Sequence, residues 1–540
     1  MRNREKKMKQ KETGKKDYLG KMPSVGGFLK ENQANWWIIG IFLLIVYGIK
    51  VFNVSFSHDT EAIMAVPERL YESWYTMGRF GLIFLKKVLG TYVFTPYAAA
   101  LMMTVSMLLN SMLWLYLFTW VNGDRWKRCT MWIFPSFFFT SMIMAEQSGF
   151  LLQAYEVNIA LLLVGAALLC LLRIFLGNGR KLLFVPAVFC CVIAFSVYQS
   201  LVPLFTAGAA ICFILAYDRL VREQKECVTF SFCIAFIGKL IGIFLFSFVV
   251  YQITNKIVLG MLGMETTPYI TDQIMWGTLS AKECVFNILR HVHRAMLGKR
   301  IFYNGINSVV YVGTLLYIIA RIRKKESCYI LYLLAVLYCL ASPFLMSVLM
   351  GNEPSVRTQM LLPFIVGFFL QYLVGKLWEN RKETARYAGT AAVLIAGAVV
   401  MYQSMLSARL YYTQYVQYEE DVQIASDISA RIGALGKGEI PDCPVVFIGS
   451  RAPRQNLSCI KSEELELIGR SFFEVSFGTS HGTWVMQHFL ATQGHSYMQP
   501  TAEQMKQAEK AAASMPLWPE TGSVAEKDGV IIVNLGAAGN

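Results

Sequence analysis

Charge is scarce in this sequence. Asp, Glu, Lys and Arg make up 16% of its 540 residues, against about 25% in an ordinary soluble chain. That shortage excludes the three or four water-soluble domains that such a length would otherwise imply. Alternating polarity is missing as well. The apolar runs are continuous, which speaks against a β-barrel. No C-x-x-C pair and no zinc-type spacing occurs among the 12 cysteines. Most of them, such as Cys170, Cys190, Cys191 and Cys339, lie inside apolar runs, where cysteine acts as a small hydrophobe. Only Cys443 and Cys459 share a polar region, and spacing alone leaves their pairing open. No fixed-period repeat is present.

What the chain has instead is hydrophobic length. It is 55% hydrophobic, and its apolar runs of ~18–25 residues each suffice to cross ~30 Å of hydrocarbon. The formal charge of +14 is not a nucleic-acid footprint. Basic residues cluster in the tail (Arg2, Arg4, Lys6, Lys7, Lys9, Lys11, Lys15, Lys16) and in short loops such as "NGDRWKR", "GNGRK" and "RIRKK". This is the distribution that holds loops on the cytoplasmic side. The first run, "NWWIIGIFLLIVYGIKVFNVSF", lacks a small-residue cleavage site and reads as a retained anchor.

With the tail inside, about eleven spans follow: 35–53, 94–121, 131–145, 158–176, 182–197, 201–217, 229–254, 302–320, 329–349, 359–377 and 387–406. Every short basic loop then falls on one side. "RFGLIFLKKVLG" is too short to span and reads as an amphipathic helix along the interface. Beyond residue 406 the composition turns polar. "CPVVFIGS" and "GVIIVNL" read as buried strands, and "TAEQMKQAEKAAASM" as a helix capped by Thr501. The expected architecture is an all-α polytopic membrane domain (35–406) between a basic cytoplasmic tail (1–34) and a small extracytoplasmic α/β domain (407–540).

The span centres are nearly free of ionisable residues, unlike those of a pump or ion channel. Polar chemistry gathers in the outer loops: Asp59, Glu61, Arg79, Glu146, Glu156, Asp272, Trp276, His291, Glu353 and Arg357. Several have plainer readings. Arg79 and Arg357 can anchor to head groups. Glu146 and Glu156 can border a cavity or end a span in water. Trp276 can stack on a sugar or mark the interface. His291 and His293 form H-x-H, whose members point apart on a helix, so no metal site is expected from them.

In the first outer loop, "SHDTEA…MGRFG" resembles the acidic-then-"GRW" progression of the bacterial type II glucosyltransferases that modify O-antigen, within the GT-C class of membrane glycosyltransferases. "AFSVYQSLVPLF" is similar to that family's Tyr-Gln turn, and "EPSVRTQMLLPFI" to its Arg-bearing helix start. The likeness covers about residues 35–406. Thr60 separates the two acids that adjoin in the family, so either Asp59 or Glu61 could be the working carboxylate. The resemblance implies a GT-C-like fold in a bacterial cytoplasmic membrane. It implies transfer of a sugar, glucose in this family, from a polyprenyl-phosphate carrier to a cell-surface glycan or its lipid-linked precursor. A carboxylate would deprotonate the acceptor, and Arg357 or Arg79 would meet the lipid phosphate. Partners expected with it are membrane lipid, a small flippase and a donor-synthesising membrane enzyme, but no nucleic acid. No cofactor is implied. A lipid-linked oligosaccharide flippase and an O-antigen polymerase are the alternatives. The first needs charge along the spans, and the second a large Arg-rich outer loop late in the chain.

Overall fold

A computed structural model describes residues 17–123, 126–223, 228–268, 271–323, 326–379, 383–436, 441–474 and 478–536. The basic residues Arg2–Lys16 lie outside the described residues.

Among the described residues, eight helices are long and apolar enough to cross a membrane. They include Gln33–Phe52, Pro96–Asn122, Leu201–Glu223, Phe230–Leu262 and Leu361–Glu379. Lys181–Val197 and Ile306–Ile322 are apolar but shorter. Each expected span has a helical counterpart, and two are broken. Over 131–145 the chain forms Ile133–Thr140 and Met142–Gly149, divided at Ser141. Ser141 leaves the helical region and caps the second piece through Oγ, which accepts from Met144 N at 3.2 Å. Over 329–349, helices Tyr329–Ala341 and Leu345–Met350 flank a turn containing Pro343, which has no amide hydrogen to continue the ladder.

The short helix Phe80–Val88 is more buried than an interfacial strip would be. It packs onto Phe184–Val197 so closely that a Cβ on Gly81 would lie 2.9 Å from Ile193 O. Lys86, on the same helix, is fully buried in an ion pair with Glu156.

Helix Glu383–Gly433 runs 51 residues without proline and passes through residue 407 unbroken. The change of composition there is a change of surroundings along one helix. Its distal half carries the C-terminal α/β part. Strands β1 (Val445–Ile448), β2 (Val524–Lys527) and β3 (Val530–Asn534) form a sheet in the order β1-β3-β2. β1 and β3 are parallel, with Val445 beside Ile531, and β2 is antiparallel to β3. Both expected strands are present. The sheet alternates: Val446 and Ile532 pack on Ala508 and Ala512, while Phe447, Ile531 and Val533 face the main core. The expected helix spans Ala502–Ala512, capped reciprocally by Thr501 and Gln504. Cys443 and Cys459 are not joined by a disulfide.

Candidate functional site

The stretch between Phe52 and Thr60 turns under the C-terminal part and is bolted to it. Phe56 packs against Tyr418, Phe472 and Phe489, and the last two rings stack at 4.2 Å. His58 is buried, with Nε2 3.1 Å from Ser471 O and its ring on Phe472. Asp421 fixes the same segment from the long helix, accepting from Ser471 Oγ at 2.5 Å and Phe472 N at 2.7 Å. Burial pushes His58 down to about 4, so the ring is neutral at pH 7.

Asp59 follows at φ 68°, in the left-handed region. Asp tolerates this conformation better than most residues. It stands at the N-cap of helix Thr60–Ala65 without using its side chain as a cap. The carboxylate instead lines a cavity of about 600 Å³ between helix Pro67–Thr76 and helix Gly478–Thr492. Arg69, Ser73, His481, Trp484 and Gln499 share that wall. The Arg69 guanidinium lies over the Trp484 ring at 5.7 Å. Burial raises the Asp59 carboxyl above its ordinary range, and the charges of Arg357 and His481 oppose the rise.

Glu61 is different. Its side chain is wholly buried, and neither oxygen has a hydrogen-bond partner. An ionised carboxylate cannot be held so without a large desolvation cost, so the group takes up a proton. Burial and the neighbouring Asp59 raise it well above the carboxylate range.

Arg357 gathers the remaining acids. It follows Val356, whose N–H donates to both oxygens of Glu466 at 3.0 Å. Glu146 accepts from Leu467 N at 2.9 Å and Ile468 N at 3.2 Å. The Arg357 charge bears on Asp59, Glu146 and Glu466 together, and its guanidinium lies 4.4 Å over the Phe150 ring. Two of the carboxylates expected to matter, Asp59 and Glu146, thus converge with Arg357, and Glu61 interacts with Asp59 alone.

The other candidates stand apart. Arg79 donates from Nε to Gln199 Oε1 at 3.2 Å and lies over the Tyr198 ring, which joins the "GRF" and "YQS" stretches. Glu156 is taken by Lys86. His291 is buried between Ser347 Oγ and Gln359 Oε1, while His293 is exposed. Trp276 donates to Val348 O at 2.8 Å, and Asp272 is exposed on a turn. Among the described residues no three His, Cys, Asp or Glu side chains are placed to hold a metal ion. Glu466, His481, Trp484, Arg69 and Asp421 were not singled out by the sequence. Their only signal was membership of the polar segments, because long-range docking brings them to Asp59.

Spanning-length apolar helices with a carboxylate–arginine cluster and a polar-walled cavity at one end describe a membrane protein with a built site. The chain belongs to the glucosyl transferase GtrII family, whose model matches residues 48–374. It is therefore a glycosyltransferase of a glucosyl-transferring family. No curated protein and no solved structure matches it. The family match contains Asp59, Glu61, Glu146 and Arg357, and ends before Glu466, His481 and Trp484.

Proposed function

We propose that the protein transfers glucose from a polyprenyl-phosphate carrier to a glycan acceptor at the outer face of a bacterial cytoplasmic membrane. The supporting observation is that Asp59 faces a cavity, with its side chain uncommitted to capping, while Glu61 is buried. In this reading the acceptor hydroxyl lies against Asp59. Its oxygen forms a bond to the anomeric carbon from the face opposite the phosphate. The bond from that carbon to phosphate oxygen breaks, the electron pair leaves with the phosphate, and Asp59 takes the hydroxyl proton. Configuration inverts. A base whose carboxyl is raised accepts that proton better near neutral pH. Arg357 stabilises the negative charge growing on the phosphate.

Trp484, on the C-terminal side of the cavity, offers a flat apolar face for a sugar ring, and Gln499 and His481 offer polar atoms beside it. The acceptor is thus read partly by residues beyond the family match. The donor reaches this face already turned across the membrane. A flippase and an enzyme that makes the lipid-linked donor are accordingly its working partners.

The test is turnover of polyprenyl-phosphate glucose in membranes, followed as release of sugar from the carrier. Asp59→Asn is expected to lower kcat by ~10²–10⁴, while Glu61→Gln retains most activity. Full turnover by Asp59→Asn would remove the base assignment.

A further inference from the structure

Helix Ala281–Leu297 takes no part in the Asp59 cavity, yet its inner face grips the segment that carries Arg357. Cys284, His291 and Ala295 are buried on that face. His291 lies between Ser347 Oγ and Gln359 Oε1, the latter at 2.9 Å. Arg294 donates to Glu353 Oε2 at 2.8 Å. Glu353 and Gln359 stand on either side of Arg357 in the chain.

The outer face has no protein against it. Phe286, Leu289, His293 and Leu297 recur at spacings of three and four, so they share one side of the helix. All are exposed, Phe286 by 62% and Leu289 by 61%. Lys282 and Arg290 stand one turn to either side of Phe286, and Lys299 follows the helix; all three are exposed. None of the three pairs with a carboxylate among the described residues. Arg290 reaches only Asn287 Oδ1, at 2.8 Å, and the Phe286 ring. The acid of the helix, Glu283, is taken by the Ser280 cap.

Two observations say what covers this face. The first is charge. Residues 281–300 hold five cations and one acid. The segment lies at the end of the bundle proposed to be outer, where lysine and arginine are ordinarily scarce. The concentration therefore has a cause other than topology, and it suits a surface carrying anions. The second is continuity. The helix packs on Ile306–Ile322 and Leu345–Met350, which expose Val309, Val312 and Leu349. The apolar row thus extends the flank of the bundle. Trp276, tied to Val348 O, is 40% exposed beside it, as a tryptophan at the head-group level is. An apolar row between unpaired cations is the pattern of a helix lying in the head-group plane, its basic side chains reaching lipid phosphate.

We infer that helix Ala281–Leu297 docks on anionic lipid head groups beside the bundle. Phe286, Leu289 and Leu297 enter the apolar layer, and Lys282, Arg290 and Lys299 meet the lipid charge. Through His291 and Arg294, this seat holds the Arg357 segment in place. The lipid here is the surrounding membrane and not a substrate.

The test is hydrogen exchange of the full chain in nanodiscs of phosphatidylcholine, with and without phosphatidylglycerol. Peptides over 281–297 and 353–359 are expected to exchange several-fold more slowly in the anionic discs, with helix Leu201–Glu223 unchanged as the control for folding. The combined variant Lys282→Gln, Arg290→Gln and Lys299→Gln alters exposed side chains alone and should lose that difference. Equal exchange in the two lipids, whether the helix rests on neutral lipid or awaits another protein, overturns the inference. A slowing that the variant keeps comes from the acid layer at an anionic surface and also overturns it. Slowing of 281–297 without 353–359 removes the link to Arg357. Exchange needs no turnover, so an active Asp59→Asn variant would sink the catalytic reading and leave the docking assignment standing.

Discussion

Two carboxylates two positions apart have opposite fates. Asp59 faces a cavity, and Glu61 is buried without a partner. Glu61 is raised well above the carboxylate range. The folded chain then keeps a proton that the unfolded chain releases as pH rises past the ordinary glutamate value, so stability falls with rising pH. Glu61→Gln removes that loss. Its melting temperature should exceed that of the parent by more at pH 8 than at pH 5, and a gap that narrows with pH would contradict the burial argument. The sequence could not separate these acids. Spacing puts both in one loop, and only the left-handed turn at Asp59 sends one side chain outward and the next acid inward. Arg357 was readable as a cation in a loop with little other positive charge, whereas Glu466 and Trp484 became site residues through contacts over a hundred positions apart.

At the scale of elements, the apolar runs announced their helices because hydrophobic length is a local property. The breaks at Ser141 and Pro343 follow local rules too, but continuous hydrophobicity hid them. Helix Phe80–Val88 shows a limit of amphipathic pattern: of its two lysines, Lys87 is exposed and Lys86 points to Glu156 inside the protein, where composition alone expects water for both. Its seat depends on Gly81. Gly81→Leu would drive a side chain into Ser196 and Ile193 O, costing about 1–3 kcal/mol as overpacking does. The check is the thermal stability of the detergent-solubilised protein. An unchanged midpoint would mean the two helices separate more easily than the contact suggests.

Over the whole molecule, the C-terminal part is both roof and wall of the Asp59 cavity. It is fastened through His58, whose imidazole burial holds down to about 4. A histidine depressed in the fold contributes stability that is present above its ordinary value of 6.5 and lost as pH falls toward 4. Acid should therefore loosen the roof before it unfolds the helices. Corrected for the intrinsic slowing of amide exchange in acid, protection of the segment around Phe472 is expected to fall more between pH 6 and pH 4 in the parent than in His58→Phe. Asp421, raised to about 8 by burial, works in the opposite sense in both. Protection that changes with pH alike in the parent and in His58→Phe would exclude His58 as the fastening. Little of this arrangement was legible beforehand. The two strands and the capped helix declared themselves, but their docking onto "SFSHDTEA" depends on tertiary contacts alone.

The unbroken helix Glu383–Gly433 turns that docking into a matter of phase. One residue inserted between Leu406 and Asp421 would raise the roof by about 1.5 Å and swing it through roughly 100°, carrying Asp421 away from Ser471. Seven residues would restore the angle to within ~20°, yet leave the roof about 10 Å too high. No insertion satisfies both angle and height. The helix acts as a gauge: its residue count sets the height and angle of the C-terminal part over the Asp59 cavity, and insertions at this point should abolish glucosyl transfer even where the chain still folds.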